Sequence, residues 1–286
     1  MCIYTLVRHY MVFDKGIFII RTGGTSMNFL ENYYNNYDEE GRLLRRHGQV
    51  EYLTTMHYIN SILQQDKSKR ILEVGAGTGR YSVTLAKEGY EVDAVELVQH
   101  NLDILKSKLD GSEKITPVQG NALDLSRYGD GEFDLVLLLG PMYHLYTKED
   151  REKALSEAVR VAKKGGHILV AYCMNECVVV QFAFAADNIK KLVEKNMLTD
   201  DFHCLSNPED LFAMVRLEEI FELTKDMKVE REKIIAADGA TVYMRDKVNE
   251  FDDETFDFWM KYHLAICERM DLIGATNHSL DILKKI

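Results

Sequence analysis

Ile71-Leu72-Glu73-Val74-Gly75-Ala76-Gly77-Thr78-Gly79-Arg80 is an apolar run that ends in glycines at every second position and passes directly into a helical pattern. A short run of branched aliphatic residues closed by glycine reads as a buried strand. Gly75 and Gly77 let the backbone turn sharply and approach a ligand. The amides at the start of the following helix favour a ligand's carboxylate. A strand, turn and helix in this order place a binding loop at the carboxyl end of a strand.

Downstream the same rhythm repeats. Strands are expected at Glu91 to Val95, Lys114 to Gln119, Phe133 to Leu139 and His167 to Tyr172, with helices at Tyr81 to Glu88, Val98 to Leu109 and Lys148 to Ala162. Strands rich in Val, Ile and Leu that alternate with helices predict a doubly wound α/β fold with a mostly parallel sheet covered on both faces. Upstream, Asn28 to Lys69 is helical in pattern, so residues 27–69 read as an N-terminal helical cap and residues 70–286 as the main domain. After Cys173 the rhythm changes. Val178 to Met197 predicts an extra helix, and residues 173–207 form a candidate lid inserted after the fifth core strand. Pro208 then opens a further helix to about Asp226, Lys228 to Ala236 is a strand, Glu254 to Met270 a helix and Ser279 to Leu283 a last strand.

Two more loops carry chemistry. The second strand runs into Glu96, whose carboxylate can accept hydrogen bonds from both hydroxyls of a ribose. That placement is shared with dinucleotide-binding domains and so specifies a ribose, not a reaction. After the third strand comes Gly120-Asn121-Ala122-Leu123. Asn121 can hydrogen-bond an adenine edge while Leu97, Ala122 and Leu123 sandwich the ring. Together the three loops describe an adenosine site. A nicotinamide loop would carry its third glycine where this chain has Arg80, which favours methyl transfer over hydride transfer.

At these residues the sequence resembles the class I methyltransferases, in particular a small-molecule branch that carries a GPxYHL-like segment after the fourth strand. Glu73 to Gly79 is similar to the family's first motif, Glu96 to its ribose acid, Asn121-Ala122 to its adenine loop, and Gly140-Pro141-Met142-Tyr143-His144-Leu145 to its fourth motif. The resemblance covers Arg70 to Tyr172. It implies a Rossmann-like methyltransferase fold with a seven-stranded sheet whose final strand is antiparallel. It also implies S-adenosyl-L-methionine as cofactor, held by Glu73, Gly75, Gly77, Gly79, Glu96, Leu97, Asn121, Ala122, Leu123 and Leu139. Where the family often has Asp in the adenine loop this chain has Asn121, so that one contact differs in its donor and acceptor roles.

The reaction so implied moves a methyl group to an oxygen, nitrogen or sulfur of a small-molecule acceptor. His144 is the candidate general base and Tyr143 the group that orients the acceptor; a histidine that only shapes the loop through a backbone hydrogen bond is the alternative. His47 and Glu51, one helical turn apart, either close the pocket or form a solvated face. Tyr33, Tyr34 and Tyr37 either cover the sulfonium or simply pack. Two other functions stay open: a cofactor-binding module without turnover, and a methyltransferase acting on a protein or tRNA.

Composition narrows the partners. With 46 acidic against 35 basic residues the formal charge is -11, which disfavours polyanions such as nucleic acids. The five cysteines, Cys2, Cys173, Cys177, Cys204 and Cys267, are odd in number and unevenly spaced. A reducing cytoplasm is expected, and ordinary buried thiols in preference to a zinc set built from Cys173, Cys177, His203 and Cys204. No metal is expected. No apolar run reaches the ~20 residues that span a bilayer, so a soluble protein is expected. Residues 1–26 read as a non-native or flexible extension. Gly23-Gly24 can encode GGAGG just ahead of Met27, as a bacterial ribosome-binding site does.

Overall fold

The computed structural model describes residues 26–36 and 45–286. The proposed extension, apart from Ser26, and Tyr37 lie outside them. In chain order the first half holds α1 (Ser26–Tyr34), α2 (Arg46–Leu63), β1 (Arg70–Val74), α3 (Arg80–Lys87), β2 (Glu91–Glu96), α4 (Gln99–Ser107), β3 (Ile115–Gln119) and β4 (Phe133–Leu138). The second half holds α5 (Lys148–Val161), β5 (Ala162–Met174), α6 (Asn175–Val178), α7 (Ile189–Glu194), β6 (Met214–Val215), α8 (Leu217–Thr224) and β7 (Val229–Ala236). It closes with α9 (Arg245–Asn249), α10 (Asp253–Ile266), α11 (Met270–Ile273) and β8 (His278–Lys285).

The sheet runs β3-β2-β1-β4-β5-β8-β7, with the two-residue β6 added alongside the end of β5. Strands β3 to β5 pair in parallel, and β8 is antiparallel to both β5 and β7. This is the expected mostly parallel sheet with an antiparallel last strand. β1 is central because both its edges are paired, Ile71 to Val92 on one side and to Leu135 on the other. Alternation along the strands feeds two cores. Leu72, Val74, Val136 and Leu138 face α5 and α8. Ile71, Leu135, Leu137 and Leu169 face α2 and α3. Helix α2 is therefore a layer of the domain, burying Ile59 and Leu63 completely, each such side chain contributing roughly 1.5–3 kcal/mol.

Two expected helices are not formed as read. Val178 to Met197 is broken into α6, a π-helical turn at Val179–Ala185, and α7, because Asp187 takes a left-handed φ of 56° between them. The helix expected from Pro208 begins only at Leu217. Ahead of it Pro208–Asp210 form only a 3-10 turn, and the chain then extends: Ala213 N donates to Tyr143 O, and Met214 pairs with Cys173. Backbone pairing there overrides helical propensity. Of the thiols, Cys173, Cys177 and Cys267 are buried, and Cys204 packs with Cys173 in an apolar cluster. His203 Nε2 turns away to Glu219, 2.7 Å distant. Among the described residues no helix is long and apolar enough to cross a membrane.

The β7–β8 edge is fastened by a buried ion pair. Arg231 Nε and Nη2 donate to the two oxygens of Asp281 at 2.7 and 2.9 Å, and Nη2 also reaches Thr224 Oγ1 of α8 at 2.8 Å. Asp281 is fully buried, so removing the arginine strands a carboxylate in the core. Arg231→Ala is expected to cost about 3–5 kcal/mol in urea unfolding; a loss under ~1 kcal/mol would show that water reaches the acid.

Candidate functional site

The carboxyl ends of β1 to β4 open onto a cavity of about 470 Å³. Its first wall is the loop from Val74 to Thr78. Gly75 has φ 79°, and a Cβ there would sit 2.6 Å from Pro141 Cδ, so only glycine lets this loop pass beneath the turn after β4. Gly79 works differently. A Cβ on it would strike Leu105 Cγ at 2.6 Å, and it does not line the cavity. Its part is to let α3 pack on α4. Most amides of the loop are already paired: Gly75 N and Ala76 N donate to Val95 O, and Gly77 N to Glu96 Oε2 at 2.7 Å. Arg80 follows at the cavity edge, its guanidinium 4.6 Å from the Tyr52 ring centroid. It stands as the loop's cation, which glycine spacing alone does not single out.

Glu96 closes the second wall. Its Oε2 accepts from Gly77 N and its Oε1 from Val98 N at 2.8 Å, so a buried carboxylate is fixed in orientation by amides from two different loops. Glu96 itself lines the cavity. Glu73, on the neighbouring strand, also lines it and accepts from Ser82 N at 2.8 Å. Burial pushes the Glu73 carboxyl up to about 8 against the pull of the Ser82 hydrogen bonds, and the charge of Glu96 adds to the rise.

The third wall is Gly120 to Leu123. Asn121 Oδ1 accepts from Leu123 N at 3.0 Å, which leaves its amide hydrogens as what the side chain presents to a ligand. Leu97, Ala122, Leu123 and Leu139 supply apolar lining.

The fourth wall carries Tyr143 and His144 on the 3-10 turn Pro141–His144. His144 Nδ1 donates to Leu211 O at 2.8 Å, since a carbonyl can only accept, and Nε2 therefore accepts from the Tyr34 hydroxyl at 2.9 Å. Burial holds this imidazole down at about 4, leaving it neutral. Both ring nitrogens are thus occupied, and the backbone contact is the loop-shaping one. Tyr143 donates to Leu139 O at 3.2 Å. Tyr34 and Leu30 of α1 and Pro208 line the open edge, whereas no residue of the expected lid, 173–207, does so. His47 and Glu51 also lie off the cavity: His47 meets Asn249 Oδ1 at 2.9 Å and Glu51 faces His278.

Residues 72–170 match the methyltransferase domain family. The chain is 33% identical over 102 residues to the demethylmenaquinone methyltransferase of Clavibacter sepedonicus, covering 36% of this chain and 40% of that one. It is 30% identical over 111 residues to a glycine/sarcosine N-methyltransferase of Parasynechococcus marenigrum, covering 38% and 39%. The chain thus spans about two fifths of the length of these relatives. In fold it is similar to a SAM-dependent methyltransferase from Methanosarcina mazei, with a TM-score of 0.53 at 16% identity over 80% of this chain and 97% of that one. Sheet order and loop placement are those of the methyltransferase fold that this neighbour shares.

Glu73 gives this site a signature in stability. The folded chain keeps a proton on it up to about pH 8, while the unfolded chain loses that proton near 4.5. Between those values unfolding releases a proton, so stability falls as pH rises. Glu73→Gln removes this contribution. Its melting temperature is expected to gain on the parent steadily from pH 4.5 to 8, and a gap independent of pH would mean Glu73 is ionised in the fold.

Proposed function

We propose that the chain is an S-adenosylmethionine-dependent methyltransferase of the small-molecule branch, moving a methyl group to an oxygen, nitrogen or sulfur of its acceptor. The observation that carries this reading is Glu96: a buried carboxylate, immobilised by two amides, that lines a cavity also lined by the first and third loops. A pinned acceptor of this kind fits two vicinal ribose hydroxyls, and Leu97, Ala122 and Leu123 fit the faces of a purine. When bound, the cofactor supplies a sulfonium-activated methyl group.

The chain's own contribution is alignment and exclusion of water. Gly75 and Gly77 give the backbone its close approach, and Arg80 stands where a ligand carboxylate is to be met. On the acceptor side are Leu30, Tyr34, Tyr143, Tyr146 and Pro208, a largely aromatic surface suited to a compact organic molecule. The names of the curated relatives, which speak of demethylmenaquinone and of glycine and sarcosine, agree with a small acceptor. His144, neutral and doubly hydrogen-bonded, positions Tyr34 over the cavity; any proton it takes must come through the Tyr34 hydroxyl.

Titration calorimetry with S-adenosylhomocysteine tests the reading. Glu96→Ala is expected to weaken binding roughly 10- to 100-fold, as for hydrogen bonds to a charged group. Failure of the folded parent to bind at millimolar concentration would overturn the proposal. Tyr34→Phe is expected to leave this binding within about twofold and to raise the KM for the acceptor, once a methyl-release assay across a metabolite panel has found one. Weakened cofactor binding in that variant would move Tyr34 from the acceptor side to the cofactor side.

A further inference from the structure

Behind Tyr143, at the same edge of the sheet but outside the cavity, three side chains from distant parts of the chain converge. Glu51 comes from α2, Asp238 from the turn after β7, and His278 opens β8. His278 Nδ1 lies 3.1 Å from Asp238 Oδ2 and 3.4 Å from Glu51 Oε2, and the three atoms are all within 4.8 Å of one another. The His278 ring centroid is 6.2 Å from that of Tyr143. Cys173 stands directly opposite His278 across the β5–β8 pairing.

The cluster is built, not incidental. Asp238 Oδ1 accepts from Thr276 Oγ1, Asn277 N and His278 N at 2.6, 3.0 and 3.1 Å, so the carboxylate is fixed with Oδ2 turned to the histidine. Beside it Asn277, only 3% exposed, sets its Nδ2 2.9 Å from His278 Nδ1 while its own Oδ1 is buried without a partner. Two carboxylate oxygens and one imidazole nitrogen are the donors gathered at this point.

We propose that Glu51, Asp238 and His278 bind one divalent first-row transition ion, Zn²⁺ or Mn²⁺, with water completing its coordination. Two carboxylates with a neutral imidazole balance a charge of +2. Ligands each ~2.0–2.1 Å from a tetrahedral centre stand about 3.3–3.4 Å apart, which the 3.1 and 3.4 Å separations match. The imidazole donor favours these ions over Mg²⁺ and Ca²⁺, which take oxygen. So placed, the ion ties α2 to the β7–β8 edge directly behind the tyrosine that forms the acceptor wall. The assignment does not depend on the reaction proposed above.

The test uses the full chain, stripped with EDTA and titrated calorimetrically with ZnCl₂ and, separately, MnCl₂. One ion is expected per chain, with a rise in melting temperature on saturation. Loss of an outer partner alone costs metal sites ~10–100-fold, so Asp238→Asn and His278→Gln are expected to weaken binding by at least about tenfold and to abolish the thermal shift. Glu51→Gln, on a half-buried helix face, gives the same readout should either of those variants fail to fold. No saturable uptake of either ion by the parent, or equal uptake by the variants, would overturn the site and leave a protonated imidazole as the counter-charge of the two acids.

Discussion

Two backbone amides decide the geometry of this site: Gly77 N and Val98 N, both donating to Glu96. One belongs to the loop after β1 and the other to the loop after β2, so a single side chain holds two binding loops in register. The carboxylate is also what the cavity displays. A charge placed in a low-dielectric interior is costly unless fully hydrogen-bonded, and here the bonds that offset the cost are the same ones that shape the loops. The neighbouring Glu73 is held protonated by burial, which spares the site a second negative charge on the adjacent strand. Sequence, loop geometry and electrostatics meet in that pair of acids.

Much of this was legible before any coordinates. Strands β1 to β5 and their helices follow from periodicity, because each buries one clear face and the sheet repeats the same unit. The three loops were legible for the same reason, since each sits where a strand runs out of apolar residues. Residues 178–216 were not. Val178 to Met197 and the segment from Pro208 are helical in apolar spacing, yet Asp187 interrupts the first helix and Ala213 to Val215 are drawn out to pair with Tyr143 and the end of β5. That is a tertiary decision which local pattern cannot carry. The meeting of Glu51, Asp238 and His278 was hidden more deeply. Asp238-Gly239 reads only as a turn and Asn277-His278 only as the approach to a strand. Their proximity exists because β8 runs antiparallel between β5 and β7.

His144 combines the position of a candidate base with the surroundings of a loop-shaping residue. Its place after the fourth strand marks it as a candidate base, and it does line the cavity. Burial and two hydrogen bonds make it a poor acceptor of protons at neutral pH. In methyl transfer from a sulfonium the carbon is already activated, so a base is often dispensable while a dry, shaped surface is not. The rings of Tyr33, Tyr34, Tyr143, His144 and Phe212 stack edge to face or tilted against one another, at centroid separations from 5.0 to 6.3 Å. They form a continuous apolar rim.

That rim is hung on His144 from both sides. Nε2 receives α1 through Tyr34, and Nδ1 grips the segment before β6 through the Leu211 carbonyl, which also accepts from the Tyr146 hydroxyl at 2.7 Å. Leu211 itself has φ 71°, a conformation that costs a residue with a side chain on the order of 1 kcal/mol or more. The two donors on its carbonyl hold it there. Widening the mouth of the cavity along this edge therefore means breaking a hydrogen bond of one neutral imidazole, on one side or the other. The residue best placed to control entry of a ligand along this edge is the one whose nitrogens are both already in use.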